Sequence, residues 1–291
     1  MIEDLKIAIV LSGGAGKGAY QFGFVQALKE VIPKQNIAMV YASSIGIVNG
    51  YAYVADKMEK GCDFWNNLNC RGFLGIRKNV RNNLFLNDMS NNLVTEDDTL
   101  WTKFYVTECA LANFSVYYWP INDMPYLDKL KLMQLGLSFP FMFKFGKFKN
   151  KYYSDGGIID NIPIYPLRYN LAEYDVALVL HCDPKFKPNY ELFDKVKLIM
   201  DFVVNINSPR KRESFDFSNK VVRQNIENGY NYGIKILNQL FADNVKSIEE
   251  MREVFQKIYF DEIPKRQVKR AAGTLVTMLN NVYWKTYFDS M

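Results

Sequence analysis

Apolar positions fall into two rhythms along the first two-thirds of the chain. Leu5 to Leu11 is a short run of β-branched and apolar residues, closed by Ser12-Gly13-Gly14-Ala15-Gly16-Lys17-Gly18. After that loop, Phe24, Val25, Leu28, Val31 and Ile32 recur at helical spacing within 19–32. The pattern predicts strand, glycine loop and helix. A second strand is expected over 37–42 and a second helix from Ile45 to about Met58. Strands separated by helical segments indicate an α/β fold: a mostly parallel central sheet with helices on both faces.

Farther along, 72–99 loses periodicity, is rich in asparagine and reads as a surface excursion or lid. Alternation over 103–112 and 114–119 predicts a hairpin turning at Asn113, followed by a short helix over 126–134. Val176 to His181 is another buried strand. Beyond Asp183 the spacing becomes helical, with Leu192, Val196, Ile199, Val203 and Ile206 on one face, and Val268, Ala272, Leu275, Leu279 and Val282 on another. Residues 1–184 are therefore expected to form the sheet-bearing core, and 185–291 a helical part packed on it.

Composition narrows the choices. The 291 residues suit one large domain or a domain with an appendage. The first residues carry acids where a secretory signal would carry bases, and no apolar run approaches the roughly 18 residues of a spanning helix. Four cysteines without a CxxC pair, and one histidine, favour a reduced compartment and offer no zinc site. A cytoplasmic protein, able to associate with a membrane surface, is expected. The net charge of +5 is modest, and no nucleic-acid recognition motif accompanies it.

Three chemistries compete for the glycine loop. A phosphate-binding P-loop fails, because Leu11 stands at its first glycine position and Gly18 follows Lys17 in place of Ser or Thr. Gly14, Gly16 and Ala19 meet a dinucleotide pattern, but the next strand ends in Ala42-Ser43-Ser44 where an acid should hold the ribose. An oxyanion hole remains, built from backbone N–H groups at a helix start. A tight turn without chemistry is the plain alternative.

The stretch Ala42-Ser43-Ser44-Ile45-Gly46 resembles a nucleophile elbow with alanine at its first small position. Gly46 fixes the register, so Ser44 is the candidate nucleophile; as a plain helix cap it would need no chemistry. Two candidates could take its proton. One is Asp155 in Ser154-Asp155-Gly156-Gly157, which also reads as a turn. The other is His181, since the order Ser44, Asp155, His181 matches that of α/β-hydrolase triads.

Taken together, LSGGAGKGAYQFG at 11–23, ASSIGIVNG at 42–50, LSFPFMF at 137–143 and SDGGIIDNIPI at 154–164 resemble the patatin-like phospholipases, lipid acyl hydrolases with an α/β fold. The resemblance implies a Ser44–Asp155 dyad. It also implies an oxyanion hole from Gly13, Gly14, Ala15 and Gly16, Lys17 at the loop's usual basic position, and no metal or other cofactor. Two departures from the family pattern are Ala15 and Ala42, where glycine is common.

Phe139, Phe141, Met142 and Phe143 are candidates for an acyl-chain groove, with Lys144, Lys147, Lys149 and Lys151 facing lipid phosphates. Lys265, Arg266, Lys269, Arg270 and Lys285, with no acid in 264–288, suggest a basic face of a C-terminal helix, either on a membrane or simply solvated. The expected partners are a phospholipid or other acyl lipid and a peripheral membrane surface; an activating partner is an open possibility. A non-catalytic lipid-binding or interaction protein on the same fold is the rival from another class.

Overall fold

A computed structural model describes residues 4–71, 75, 78, 92–139, 145–186, 196–208 and 214–289, with side chains through residue 271. Five strands run parallel: β1 (Ile7–Leu11), β2 (Ile37–Ser43), β3 (Lys103–Ala110), β7 (Val176–His181) and β8 (Leu198–Val203). β4 (Ser115–Pro120), β5 (Gly146–Phe148) and β6 (Lys151–Asp155) join antiparallel. The order is β5-β6-β3-β2-β1-β7-β8, with β4 also paired to β3. The α/β architecture is the one expected.

Strand alternation divides the core between the two faces. Ile7, Ile9 and Leu11 point into the larger cluster, and Ala8 and Val10 into the smaller. Helices α1 (Gly18–Val31) and α2 (Gly46–Val54) supply much of the larger face. The smaller face is closed by Ile162, Ile164 and Leu167, the last within a 3₁₀ segment at Tyr165–Tyr169. Because both faces are covered, the parallel strands read as continuous apolar runs.

The second helix is broken where one was expected. α2 stops at Val54, Asp56 takes a φ of 59°, and α3 (Met58–Leu68) begins afresh. The hairpin turns at Asn113 and Phe114, where the Asn113 side-chain oxygen accepts the Ser115 N–H. α4 (Tyr126–Gly136) runs two residues past the expected end. Most of 72–91 lies outside the described residues, while Leu93 and Val94 are buried in the core, not on the surface.

Two sequence readings of the C-terminal part are overturned. Residues 198–203 are not helical: they form β8, fully buried and parallel to β7, so the sheet continues past residue 184. A short apolar run fits strand and helix alike by spacing, and burial on both sides here favours the strand. Leu192, assigned to the same face, lies outside the described residues.

α5 (Asn219–Leu240) and α6 (Ile248–Asp289) complete the described chain. α5 lies so close to α1 that a Cβ on Gly229 would stand 1.9 Å from the Tyr20 carbonyl oxygen. On α6, Arg266 is not part of a solvated basic face. It is 2% exposed, its guanidinium 2.7 Å from the Asp201 carboxylate and 2.8 Å from the Asp201 carbonyl. Lys265, Lys269 and Arg270 reach Asn207, Ser208 and Pro184. The side chain of Lys285 lies outside those described.

Candidate active site

The pairing of β3 explains how two residues 111 positions apart meet. Its Met39–Ser43 partners occupy one edge over 103–107, and β4 takes the opposite edge over 105–110. β6 pairs with 108–110 and must therefore share the edge of β2, beyond the point where β2 ends. The two strands run head-on, with Ser43 opposite Thr107 and Asp155 opposite Glu108. Ser44 is the residue immediately past that junction.

Ser44 has a φ of 52°, in the left-handed region that non-glycine residues rarely visit. This bend turns the chain from β2 into α2 and presents the half-buried Ser44 side chain, while Ser43 is fully buried. Gly46 has no room for a side chain, since a Cβ would come within 2.7 Å of the Leu11 and Ser12 carbonyls. Ser44 does not cap α2, which has no side-chain cap bond. Instead its hydroxyl donates to Asp155 Oδ2 at 2.6 Å. The other oxygen, Oδ1, accepts the Gly157 N–H at 2.8 Å.

The glycine loop runs alongside: a Cβ on Gly13 would stand 2.7 Å from Ser44 Cβ and 2.2 Å from Asn161 Oδ1. Its four expected amides are not equivalent. Gly13 N–H donates to the Asn161 carbonyl at 3.1 Å, and Gly16 N–H to the Ser214 carbonyl at 2.9 Å. Both are taken up in holding the loop against distant segments. Gly14 and Ala15 keep N–H groups with no acceptor among the described residues. Ala15 has a φ of 47°, a conformation that costs an alanine roughly 1 kcal/mol more than glycine.

A family model described as patatin-like phospholipase matches residues 9–168. The chain belongs to the patatin-like phospholipase family. The matched stretch contains the loop, the elbow and Asp155, and leaves β7, β8, α5 and α6 outside it. Among solved structures, VipD from Legionella pneumophila is similar over 96% of this chain and 79% of its own, at 12% identity and a TM-score of 0.45. No curated protein matches the chain.

Within this patatin-like site, burial raises the Asp155 carboxyl to about 6, against the opposing pull of the Ser44 hydroxyl and the Gly157 N–H. Glu108, directly across the β3–β6 ladder, is buried with no hydrogen-bond partner for either oxygen among the described residues. Burial first, and then the Asp155 charge, push its carboxyl well above the usual range.

His181 does not complete a triad. Asp155 accepts directly from Ser44, and His181 sits at the end of β7, two strands from β2 across β1. Its Nε2 lies 3.3 Å from Asp201 Oδ2. Lys17 is half-exposed at the start of α1 and makes no ion pair among the described residues. Phe139, 44% exposed, follows Ser138, whose carbonyl accepts the Asp155 N–H at 3.3 Å. Phe141, Met142, Phe143 and Lys144 lie outside the described residues.

Gln21 and Asn49 were not singled out in the sequence, yet they tie the loop to its helices. Gln21 Nε2 donates to the Ser12 and Leu180 carbonyls at 3.1 and 2.9 Å. Asn49 Nδ2 donates to Gln21 Oε1 at 2.9 Å, and Asn49 Oδ1 accepts from Trp65 Nε1 at 3.0 Å. A polar residue inside each of the apolar runs YQFG and GIVNG was the available signal, as was the lone acid of KFYVTECA for Glu108.

Proposed function

We propose that this patatin-like protein is a serine lipid acyl hydrolase, of phospholipase A or lysophospholipase type, that uses Ser44 as nucleophile and Asp155 as general base. The observation that carries the reading is the 2.6 Å hydrogen bond between Ser44 Oγ and Asp155 Oδ2, made from a positive-φ elbow. In the first step Ser44 Oγ attacks the acyl carbonyl as its proton passes to Asp155 Oδ2. The negative oxygen of the tetrahedral intermediate is held by the Gly14 and Ala15 N–H groups, each such donor contributing about 3 kcal/mol. Asp155 returns the proton to the leaving alcohol, then takes one from a water that attacks the acyl-enzyme and passes it to Ser44 Oγ as the second tetrahedral intermediate collapses, releasing the fatty acid and restoring the free hydroxyl.

An ordinary aspartate is a weak base at neutral pH. Burial supports the proposed role by making Asp155 more basic, while Gly157 keeps the carboxylate oriented. Lys17 and Phe139 stand next to the loop and the base and are assigned to the lipid's phosphate and acyl chain respectively.

The ionised form of Asp155 is the active one, so kcat/KM for a phospholipid or short-chain ester should rise with pH through a midpoint near 6 and then level off. Asp160, bonded to Tyr118, is also raised to about 6 by burial. The midpoint should stay in place in Asp160→Asn. A flat profile across this range, or a midpoint abolished by Asp160→Asn, would contradict the assignment.

A further inference from the structure

We infer that the two hairpin tips beside the active site, at 111–114 and 149–152, form a docking surface for an anionic lipid bilayer. The inference deepens the hydrolase reading by naming the surface from which the site would draw its substrate. From 129 to 154 the chain has six lysines and no acid. Three of them, Lys147, Lys149 and Lys151, are exposed on the β5–β6 hairpin and form no salt bridge among the described residues.

Each of the three lies over an aromatic ring. Lys147 Nζ is 5.4 Å from the centre of the Tyr152 ring, Lys149 Nζ 5.6 Å from that of Trp119, and Lys151 Nζ 5.5 Å from that of Tyr117. The ring contacts leave the ammonium charges without a carboxylate counter-charge among the described residues. Large apolar groups stand among them: Phe114 is 63% exposed, and Phe145 and Tyr152 are 54% exposed each. Lysine with half-exposed aromatics suits the headgroup layer, where charge meets phosphate and rings reach the acyl boundary.

The direction of the tips links them to the site. β3 continues past the end of β2, so the 111–114 turn projects beyond the sheet edge where Ser44 lies. β6 is antiparallel to β3, and the Leu111 N–H bonds to the Tyr152 carbonyl at 2.9 Å, which sets the second tip beside the first. From Asp155 back to Asn150 is about 17 Å of extended strand. The two tips therefore stand side by side, beyond the dyad at the end of β3 and the start of β6. A plane can rest on such tips, whereas a nucleic-acid strand is tracked by a groove.

The turn itself carries a conformational cost. Lys149 and Asn150 have φ of 42° and 64°, the two-residue arrangement that favours Asn-Gly, so a lysine at its first position is strained. Strain kept at an exposed tip points to a use for the charge there.

The test is sedimentation of the full chain with phosphatidylcholine vesicles, with and without phosphatidylglycerol. Wild type should bind the anionic vesicles more tightly, and increasingly so as salt is lowered. K147Q/K149N/K151Q should bind them about 100-fold more weakly while hydrolysing a soluble short-chain ester at the wild-type rate. Lys149→Asn also suits the turn, so folding is retained, as a melting temperature no lower than that of wild type will show. Ser44→Ala should bind vesicles as wild type does, which separates docking from chemistry. Equal binding by wild type and the triple variant, or no preference of wild type for anionic vesicles, would overturn the inference. So would vesicle indifference combined with lysine-dependent binding of RNA.

Discussion

Replacing Ser44 by alanine is expected to lower kcat by about 10⁶-fold, and replacing Asp155 by asparagine by about 10²–10⁴-fold. The asymmetry follows from the chemistry: without the nucleophile no acyl-enzyme forms, whereas without the base the hydroxyl can still attack slowly. Asp155→Asn has a second consequence. Its carboxyl is raised in the folded protein to about 6, so ionising it works against folding. That cost is absent below the unfolded-state value near 4, grows as pH rises between about 4 and 6, and is complete above it. The rise corresponds to about 3 kcal/mol. The inactive variant should therefore be the more stable protein near pH 8, with the gain shrinking toward pH 4 as thermal unfolding is followed. A variant that is fully active, or one whose stability gain over wild type is no larger at high pH than at low, would contradict the account of Asp155 as a buried base.

Arg266→Ala should cost about 3–5 kcal/mol of stability, read as a lower denaturant midpoint. Burial alone would raise the Asp201 carboxyl, but the hydrogen bond from His181 and the Arg266 charge overcome it and hold the group at about 2. Removing the guanidinium leaves a carboxylate 1% exposed with its main counter-charge gone. It also frees Glu262, one helical turn earlier, from its partner at 3.5 Å, and removes the cation over the Tyr259 ring. Pairing Arg266→Met with Asp201→Asn should recover part of the loss, because both charges are then absent. A loss below about 1 kcal/mol for Arg266→Ala would mean that α6 is not anchored to β8 in this way.

The reach of the sequence differed from residue to residue. Ser44 was legible because an elbow needs small residues at fixed local spacing, and Gly46 set the register. Asp155 was legible only through its surrounding motif. What brings it to Ser44 is the meeting of β2 and β6 on one edge of β3, a long-range pairing that no local pattern encodes. The same limit applies to the glycine loop. Gly13 and Gly16 look like their neighbours in sequence, but their amides are claimed by carbonyls at 161 and 214. β8 was misread because six apolar-rich residues satisfy both periods. Arg266 was read as surface because its partner lies 65 residues earlier in the chain, on a strand that had itself been taken for helix.

The central claim is that Ser44 is an activated nucleophile beside free loop amides. Treating the protein with a fluorophosphonate and mapping the adduct by peptide mass spectrometry tests it most directly. The account predicts a single covalent adduct on Ser44, absent in Ser44→Ala and slowed in Asp155→Asn. A folded wild-type protein that takes no label, or takes it on another residue at an undiminished rate in Ser44→Ala, would contradict it.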